Sequence, residues 1–126
     1  MINNQIYSFY DISPFNIGIK KYNGEIDYII IKGSKIPIKN NKTIKIDNEN
    51  ILEIYERNEN DKNKDNLIGK INLNNIFNNM GSNTNFGFKE IKIEYELNDI
   101  LDLFISILNG ECNDKIKINL FSDKQI

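Results

Sequence analysis

Apolar and polar residues alternate along most of this chain with the period of two that is typical of β-strands. Clusters of Gly, Asn, Asp, Ser and Pro interrupt the alternation at intervals of about 8–12 residues, the spacing of turns in small all-β domains. The strand segments that this pattern predicts are 17–22, 26–31, 43–47, 51–56, 67–73, 90–97, 100–108 and 115–120. About eight short strands of this kind predict an all-β fold, either a β-sandwich or a small barrel.

The residues between these segments predict the connections. Asn23-Gly24 predicts a tight hairpin turn, because both residues tolerate positive φ. Pro37 has no N–H for a ladder and predicts a strand edge or an irregular connection. Residues 57–66 contain no apolar side chain and predict a solvated loop or hairpin tip, whereas the Asn-rich residues 74–88 predict a long ordered loop. Tight turns are also predicted at Asn98-Asp99 and Asn109-Gly110.

The composition excludes most catalytic chemistries. The chain has 126 residues with no His and no Trp, and Cys112 and Arg57 are its only Cys and Arg. These absences remove most of the side chains from which zinc sites and nucleophile–base pairs are built. About a fifth of the residues are Ile, whereas Val and Ala are absent, so β-branched Ile carries most apolar contacts and favours strands.

Length and charge predict the organisation and location of the chain. A chain of this length forms one core, for which we expect an N-terminal arm or degenerate linker at 1–10, a β-sandwich at 11–122 and a tail at 123–126. The net charge of -2, with Lys dispersed among carboxylates, argues against a nucleic-acid partner. The sequence shows neither a secretory signal nor an apolar run of about 18 residues, so we expect no membrane association. The single Cys favours a reducing compartment, and we expect a cytoplasmic protein.

Carboxylates are the remaining candidates for catalysis. The pairs that are close in sequence are Glu53/Glu56, Glu94/Glu96 and Asp99/Asp102. Glu94 and Glu96 alternate with apolar residues, so both are predicted to face solvent. The Asp/Asn cluster at 58–66 lacks the Gly and Glu that a calcium loop requires in register. Cys112 has no His to activate it, so the sequence predicts neither an enzyme nor a metal site.

One segment resembles a known family. Asp11-Ile12-Ser13-Pro14-Phe15-Asn16-Ile17-Gly18-Ile19 is similar to the Asp-Val-Thr-Pro-Leu-Ser-Leu-Gly-Ile pattern that opens the substrate-binding β-domain of the seventy-kilodalton heat-shock chaperones. Further similar elements follow in the family's order, at Asn23-Gly24-Glu25, Ile36-Pro37, residues 65–71, and residues 91–97 with Ile100-Leu101. The resemblance spans roughly residues 7–120, nearly the whole chain.

The resemblance implies a two-layer, mainly antiparallel β-sandwich of about eight strands that holds extended apolar polypeptide segments without catalysis or a cofactor of its own. ATP would act only through a separate ATPase domain, and that domain or a co-chaperone would be a partner. By position, Ile19, Ile44, Leu52 and Ile54 would line the peptide pocket. The arch over the peptide would be formed by Tyr22 and Asp47, with Lys21 and Lys45 beside them, and Asp11 and Lys32 would couple to the ATPase domain.

The departures from the family pattern support an alternative. Lys21, Lys45 and Asp47 place charges where the family has apolar or small residues, and a charge beside an apolar ligand costs desolvation. The family's acidic and Leu-rich linker is replaced by residues 6–10, of which Tyr7, Phe9 and Tyr10 are aromatic. The alternative function is therefore a degenerate interaction module that has lost the groove and docks a folded partner through this aromatic segment.

Overall fold

A computed structural model describes residues 10–47, 49–57, 65–73, 89–108 and 115–120. Most of the N-terminal arm, residues 58–64 of the predicted loop at 57–66, the whole predicted loop at 74–88, Cys112, the Asn109-Gly110 turn and the C-terminal tail lie outside the described residues. The strands are β1 (Asn16–Lys20), β2 (Ile26–Ile30), β3 (Ile38–Ile46), β4 (Ile51–Arg57), β5 (Asp65–Asn72), β6 (Lys89–Leu97), β7 (Asp102–Ile107) and β8 (Lys115–Asn119).

The strands form two antiparallel sheets of four strands each. The first sheet has the order β2-β1-β4-β5 and the second has the order β3-β6-β7-β8. Each strand pairs antiparallel with its neighbours in its own sheet. The predicted all-β fold is therefore confirmed as a two-layer β-sandwich.

The core consists of the alternate strand residues that face the opposite sheet. Along β6, for example, Ile91, Ile93, Tyr95 and Leu97 are buried, whereas the residues between them are exposed or half-buried. Isoleucine fills most of these inward positions in both sheets, as its share of the sequence indicates. Burial of such side chains contributes about 1.5–3 kcal/mol each, so the sandwich is stabilised mainly by this layer.

The connections lie at two opposite ends of the sandwich. The 21–25 connection and the described residues Asp47, Glu49 and Asn50 lie at the end that we call the Tyr22 end. The segments 10–15, 31–37 and 98–101 lie at the other, which we call the Tyr10 end. Backbone hydrogen bonds join the segments of the Tyr10 end. They run from Tyr10 N to Asp99 O, Ser13 N to Ser34 O, Gly33 N to Ser13 O and Ile36 N to Asp11 O.

The turn and strand predictions were partly wrong at their boundaries. The predicted loop at 57–66 is shorter, because Arg57 ends β4 and Asp65 begins β5 as its cross-strand partner. An ion pair between Arg57 Nε and Asp65 Oδ1, at 3.1 Å, joins the two strands at this point. The third strand begins at Ile38 rather than at Thr43, since its polar first half pairs with β6 as an exposed edge.

The turn between β6 and β7 is longer than the predicted Asn98-Asp99 pair. The Asn98 side chain accepts hydrogen bonds from the backbone N–H groups of Ile100 and Asp102, at 3.1 and 2.9 Å. Leu101 has a φ of 65° and is buried. Strand β7 therefore begins at Asp102 and not at Ile100.

The sandwich is closed differently along its two sides. On one side β5 and β8 come close, because Gly69 leaves room for Ile118, whose Cδ1 would lie 2.6 Å from a Cβ at that position. On the other side a Lys42 Nζ to Asp27 Oδ1 ion pair of 2.6 Å joins the edge strands β3 and β2. Among the described strands, none pairs with the outer edge of β3 on this second side.

Candidate functional site

The four residues that were predicted to line the peptide pocket lie in the hydrophobic core. Ile19, Leu52 and Ile54 are 0% exposed and Ile44 is 1% exposed. Their inward positions on β1, β3 and β4 place them between the sheets, toward the Tyr22 end. They pack against each other and other core residues in this conformation, so a ligand side chain reaches them only if the connections at this end separate.

The two arch residues are close to each other in the fold. Both lie just outside strands, since β1 ends at Lys20 and β3 ends at Ile46. The Tyr22 N–H donates a 2.9 Å hydrogen bond to Lys45 O, which ties the 21–25 connection to the end of β3. The Tyr22 side chain is 44% exposed, and Asp47 is half-buried with its Oδ1 accepting from Glu49 N at 3.0 Å.

The β1–β2 turn has the geometry that the Asn23-Gly24 pair predicts. Gly24 has a φ of 88°, and its N–H donates to Lys21 O at 3.0 Å. The Asn23 side chain accepts from Glu25 N at 3.1 Å. Positive φ is readily available to Gly, so the sequence of the turn sets the position of the neighbouring Tyr22.

A small cleft at the Tyr22 end lies beside Asp47. Its volume is about 50 Å³, far below the roughly 300–1,000 Å³ of sites that enclose a drug-sized ligand. Its lining is largely charged and comprises Lys20, Lys21, Ile46, Asp47, Glu49, Ile51 and Glu53. Ion pairs at its rim join Lys20 to Glu53 at 3.6 Å and Lys21 to Glu25 at 3.8 Å. Charges thus occupy this surface, as the departures from the family pattern indicated.

The residues predicted for interdomain coupling lie at the Tyr10 end. Asp11 and Lys32 are both exposed. The Asp11 carbonyl accepts from Ile36 N at 2.9 Å, and the Lys32 N–H donates to Asn16 Oδ1 at 2.8 Å. The structure therefore places the coupling candidates and the arch residues at opposite ends of the sandwich.

The sequence prediction missed an apolar surface at the Tyr10 end. Ile12 is 51% exposed, Ile31 is 52% exposed and Ile100 is 37% exposed. The alternation along the sequence predicts that Ile31 and Ile100 belong to strands, where alternate apolar residues are normally buried. Their positions just outside β2 and β7 explain their exposure, and strand boundaries are the least certain part of a sequence prediction.

A second polar group lies on the outer face of the first sheet. Asp65 accepts a 3.2 Å hydrogen bond from the Tyr28 hydroxyl and ion-pairs with Arg57, whose guanidinium lies 5.0 Å from the centre of the Tyr28 ring. Burial raises the pKa of the Tyr28 hydroxyl, and the Asp65 carboxylate raises it further while Arg57 opposes the shift. Burial and a hydrogen bond to Glu53 likewise raise the pKa of Tyr55.

These two tyrosines predict a loss of stability at alkaline pH. A raised pKa means that the folded state favours the neutral phenol, so its contribution is complete below the ordinary pKa of about 10. The contribution disappears as the pH rises through the folded-state values. We expect the midpoint temperature of thermal unfolding to decrease as the pH rises above 10. Phenolate absorbance should appear at higher pH than in free tyrosine. In a Tyr28→Phe, Tyr55→Phe variant this part of the pH dependence should be absent; an unchanged profile would contradict the assignment.

Among the candidate carboxylate pairs, Glu94 and Glu96 line one small cleft of about 90 Å³ on the outer face of β6, together with Lys39 and Lys115. Glu53 and Glu56 alternate on β4, so Glu53 lies on the outer face beside Lys20 whereas Glu56 is 7% exposed. Asp102 is 8% exposed and accepts from Asn119 Nδ2 at 2.9 Å. Glu94 and Glu96 are half-buried rather than fully solvated, with Lys39 Nζ 3.9 Å from Glu94 Oε1. Within the described ranges, no three His, Cys, Asp or Glu residues are grouped to hold a metal ion.

The comparisons with known proteins add no relative. A scan against protein-family models finds no match to this chain. A search of curated proteins also finds no significant match. In the part of the chain that the structure describes, no helix has the length and apolar character of a membrane span.

Proposed function

We propose that this protein is a non-catalytic peptide-binding module of the heat-shock chaperone type, which holds extended apolar segments of unfolded polypeptides at the Tyr22 end. The observation that carries the proposal is the arch, in which the Tyr22 N–H to Lys45 O hydrogen bond holds the exposed Tyr22 against the end of β3, two residues before Asp47. An extended segment would satisfy its backbone against these connections while one of its side chains enters between the sheets.

Entry of that side chain requires a local opening. Ile19, Ile44, Leu52 and Ile54 are buried in the present conformation, so the 21–25 connection would have to separate from the end of β3 above them. The Tyr22–Lys45 hydrogen bond joins these two parts and would break in the open state. Lys21 and Asp47 line the adjacent cleft, so affinity for apolar segments would be lower than with an uncharged lining.

The same proposal implies a cellular location and a partner. The protein would act in the cytoplasm, and nucleotide would affect it only through a separate ATPase domain or a co-chaperone. That partner would contact Asp11 and Lys32, which are exposed at the opposite end from the arch. Peptide would bind at one end and the ATPase partner at the other. The two sheets would then have to transmit any conformational change between the two ends.

We expect Tyr22→Ala to weaken peptide binding about tenfold, because it removes the exposed ring over the bound segment. The measurement is fluorescence anisotropy with a labelled, Leu-rich heptapeptide. Ile31→Ala removes a similarly exposed apolar side chain at the Tyr10 end and should leave the affinity unchanged. Absence of saturable binding by the unmodified protein, or an equal loss in both variants, would refute the proposal.

The exposed Ile12, Ile31 and Ile100 favour a second candidate, an interaction module that docks a folded protein through the Tyr10 end. A group of exposed apolar side chains is typical of such contacts. In this case Ile31→Asp would abolish association with the partner while Tyr22→Ala would not. The two candidates are separated by testing both variants in peptide-binding and co-purification assays.

A further inference from the structure

Two charged residues occupy inward positions at one margin of the sandwich. Asp27 on β2 is the cross-strand partner of Ile19, and Lys42 on β3 precedes Ile44 by two residues. Ile19 and Ile44 are buried between the sheets, so cross-strand pairing and alternation place the two charged residues on the same inner faces. Both are half-buried, and Lys42 Nζ lies 2.6 Å from Asp27 Oδ1. This ion pair therefore joins the two sheets directly beside two of the candidate pocket residues.

The opposite margin is closed by apolar contact instead. There β5 and β8 approach each other more closely than β2 and β3 do, and Ile118 packs against Gly69. Separation of that margin would expose hydrocarbon to water, which is unfavourable. Separation of Asp27 from Lys42 exposes two charged groups that regain their hydration, and for this reason a partly exposed ion pair contributes little net stability. The margin between β2 and β3 is therefore the side at which the sandwich opens more readily.

The two ends of this margin are held differently. At the Tyr10 end the chain itself runs from β2 into β3, and two 2.8 Å hydrogen bonds join Ser13 to the Gly33-Ser34 turn of that connection. At the Tyr22 end the 21–25 connection runs from β1 to β2 and meets β3 through the 2.9 Å hydrogen bond from Tyr22 N to Lys45 O. An opening of this margin would therefore be hinged at the Tyr10 end and widest at the Tyr22 end, where the arch lies.

We propose that the Asp27–Lys42 ion pair is a latch that holds the start of β2 and the 21–25 connection on β3, and that its release admits an apolar polypeptide segment between the sheets. The segment enters at this margin, and one of its side chains reaches Ile19 and Ile44. The latch lowers the fraction of molecules that are open, and the apparent dissociation constant of the segment rises as that fraction falls. The role in peptide entry rests on the proposed function, whereas the opening itself is measurable without a ligand.

Hydrogen exchange of the Tyr22 amide measures this opening, because its hydrogen bond to Lys45 O breaks when the margin opens. In the unmodified protein we expect this amide to exchange faster than that of Ile105, which lies in the central strand β7 and should exchange only when the whole domain unfolds. Lys42→Met retains an unbranched side chain without the charge and should accelerate exchange at Tyr22 about fivefold. A Tyr22 amide as slow as that of Ile105, or one unaffected by Lys42→Met, would overturn the proposal.

A matched control and a second variant isolate the ion pair. Lys39→Met also removes a lysine of β3, but Lys39 pairs with Glu94 within the second sheet, at 3.9 Å, so it should leave exchange at Tyr22 unchanged. Asp27→Asn removes the other charge of the latch at nearly constant size, which keeps the test valid if Lys42→Met disturbs the packing. The double variant should exchange no faster than either single variant, since each breaks the same pair. Equal acceleration by Lys39→Met, or additive effects of the two latch substitutions, would contradict the latch.

Peptide binding gives a second measurement of the same opening. In the anisotropy assay with the Leu-rich heptapeptide, the apparent affinity of Lys42→Met should rise by the same factor as its exchange at Tyr22, about fivefold, because both depend on the open fraction. Lys39→Met should bind as the unmodified protein does. Faster exchange in Lys42→Met without peptide binding by any of the proteins would support the latch while refuting the proposed function. Faster exchange with an unchanged peptide affinity would overturn the role of the latch in entry.

Discussion

Leu52→Asp is expected to unfold the domain. Leu52 is 0% exposed on β4, a central strand of the first sheet with β1 and β5 on its two sides. The substitution removes a buried apolar side chain and places a carboxylate between the sheets. Burial of an unpaired charge belongs to the few changes that cost more than about 4–5 kcal/mol, which approaches the total stability of a small domain. Far-UV circular dichroism and thermal unfolding measure the outcome.

The control for this variant is Ile31→Asp, which introduces the same group at a side chain that is 52% exposed. Its effect on stability should stay within about 0.5 kcal/mol, as is usual for surface substitutions. A Leu52→Asp protein that folds with an unchanged unfolding midpoint would contradict the core assignment. It would instead indicate that Leu52 lines an open groove, as the family resemblance implies.

Gly18→Ala is expected to destabilise the protein by about 1–3 kcal/mol through overpacking. Gly18 lies on β1 opposite both Tyr28 and Tyr55, and the Ile26 and Tyr28 side chains pack over it. A Cβ there would overlap Ile26 Cγ2 and would lie 3.1 Å from both the Asp27 carbonyl oxygen and Tyr28 Cδ1. The backbone oxygen cannot move freely, so relaxation is limited. The measurement is the midpoint of chemical denaturation, which should decrease while the dependence of the unfolding free energy on denaturant concentration stays unchanged.

Two further variants identify the cause. Ile26→Ala removes one of the overlapping groups. In an Ile26→Ala background, Gly18→Ala should therefore destabilise the protein less than it does in the unmodified protein. Gly69→Ala is a matched comparison, because its Cβ would meet only the ends of the Ile118 and Ile116 side chains. We expect it to cost less than Gly18→Ala. Equal stability of Gly18→Ala and the unmodified protein would show that the outer face of this sheet is loosely packed.

The strands themselves were predictable because each satisfies a local rule. Alternation along residues 90–97 identifies one buried face, and the structure buries Ile91 and Ile93 as expected. The first half of β3 was missed, since Lys39 to Lys42 contain no apolar residue. Its extended conformation depends on pairing with β6, which is remote in sequence. Loss of alternation therefore does not exclude a strand at a sheet edge.

The candidate site was less predictable than the fold. An inward strand position is apolar whether it lines a groove or fills a core, so the identity of Ile54 cannot distinguish the two. The closed packing between the sheets, visible only in three dimensions, decides that Ile54 is buried here. The Tyr22–Lys45 hydrogen bond could not be predicted from the sequence either, because it joins two backbone groups and almost any residue types could form it.

The sequence by itself determined that this chain is all-β, that Ile forms its core and that it lacks the side chains of most catalytic and zinc sites. These properties follow from composition and from a period of two, which are local. The tertiary structure decided which strands pair, that the Tyr22 N–H bonds to Lys45 O at the end of β3, and that no described strand pairs with the outer edge of β3. Those features depend on contacts between residues distant in the chain, and the alternation that places a residue on a face does not specify the partner that covers it.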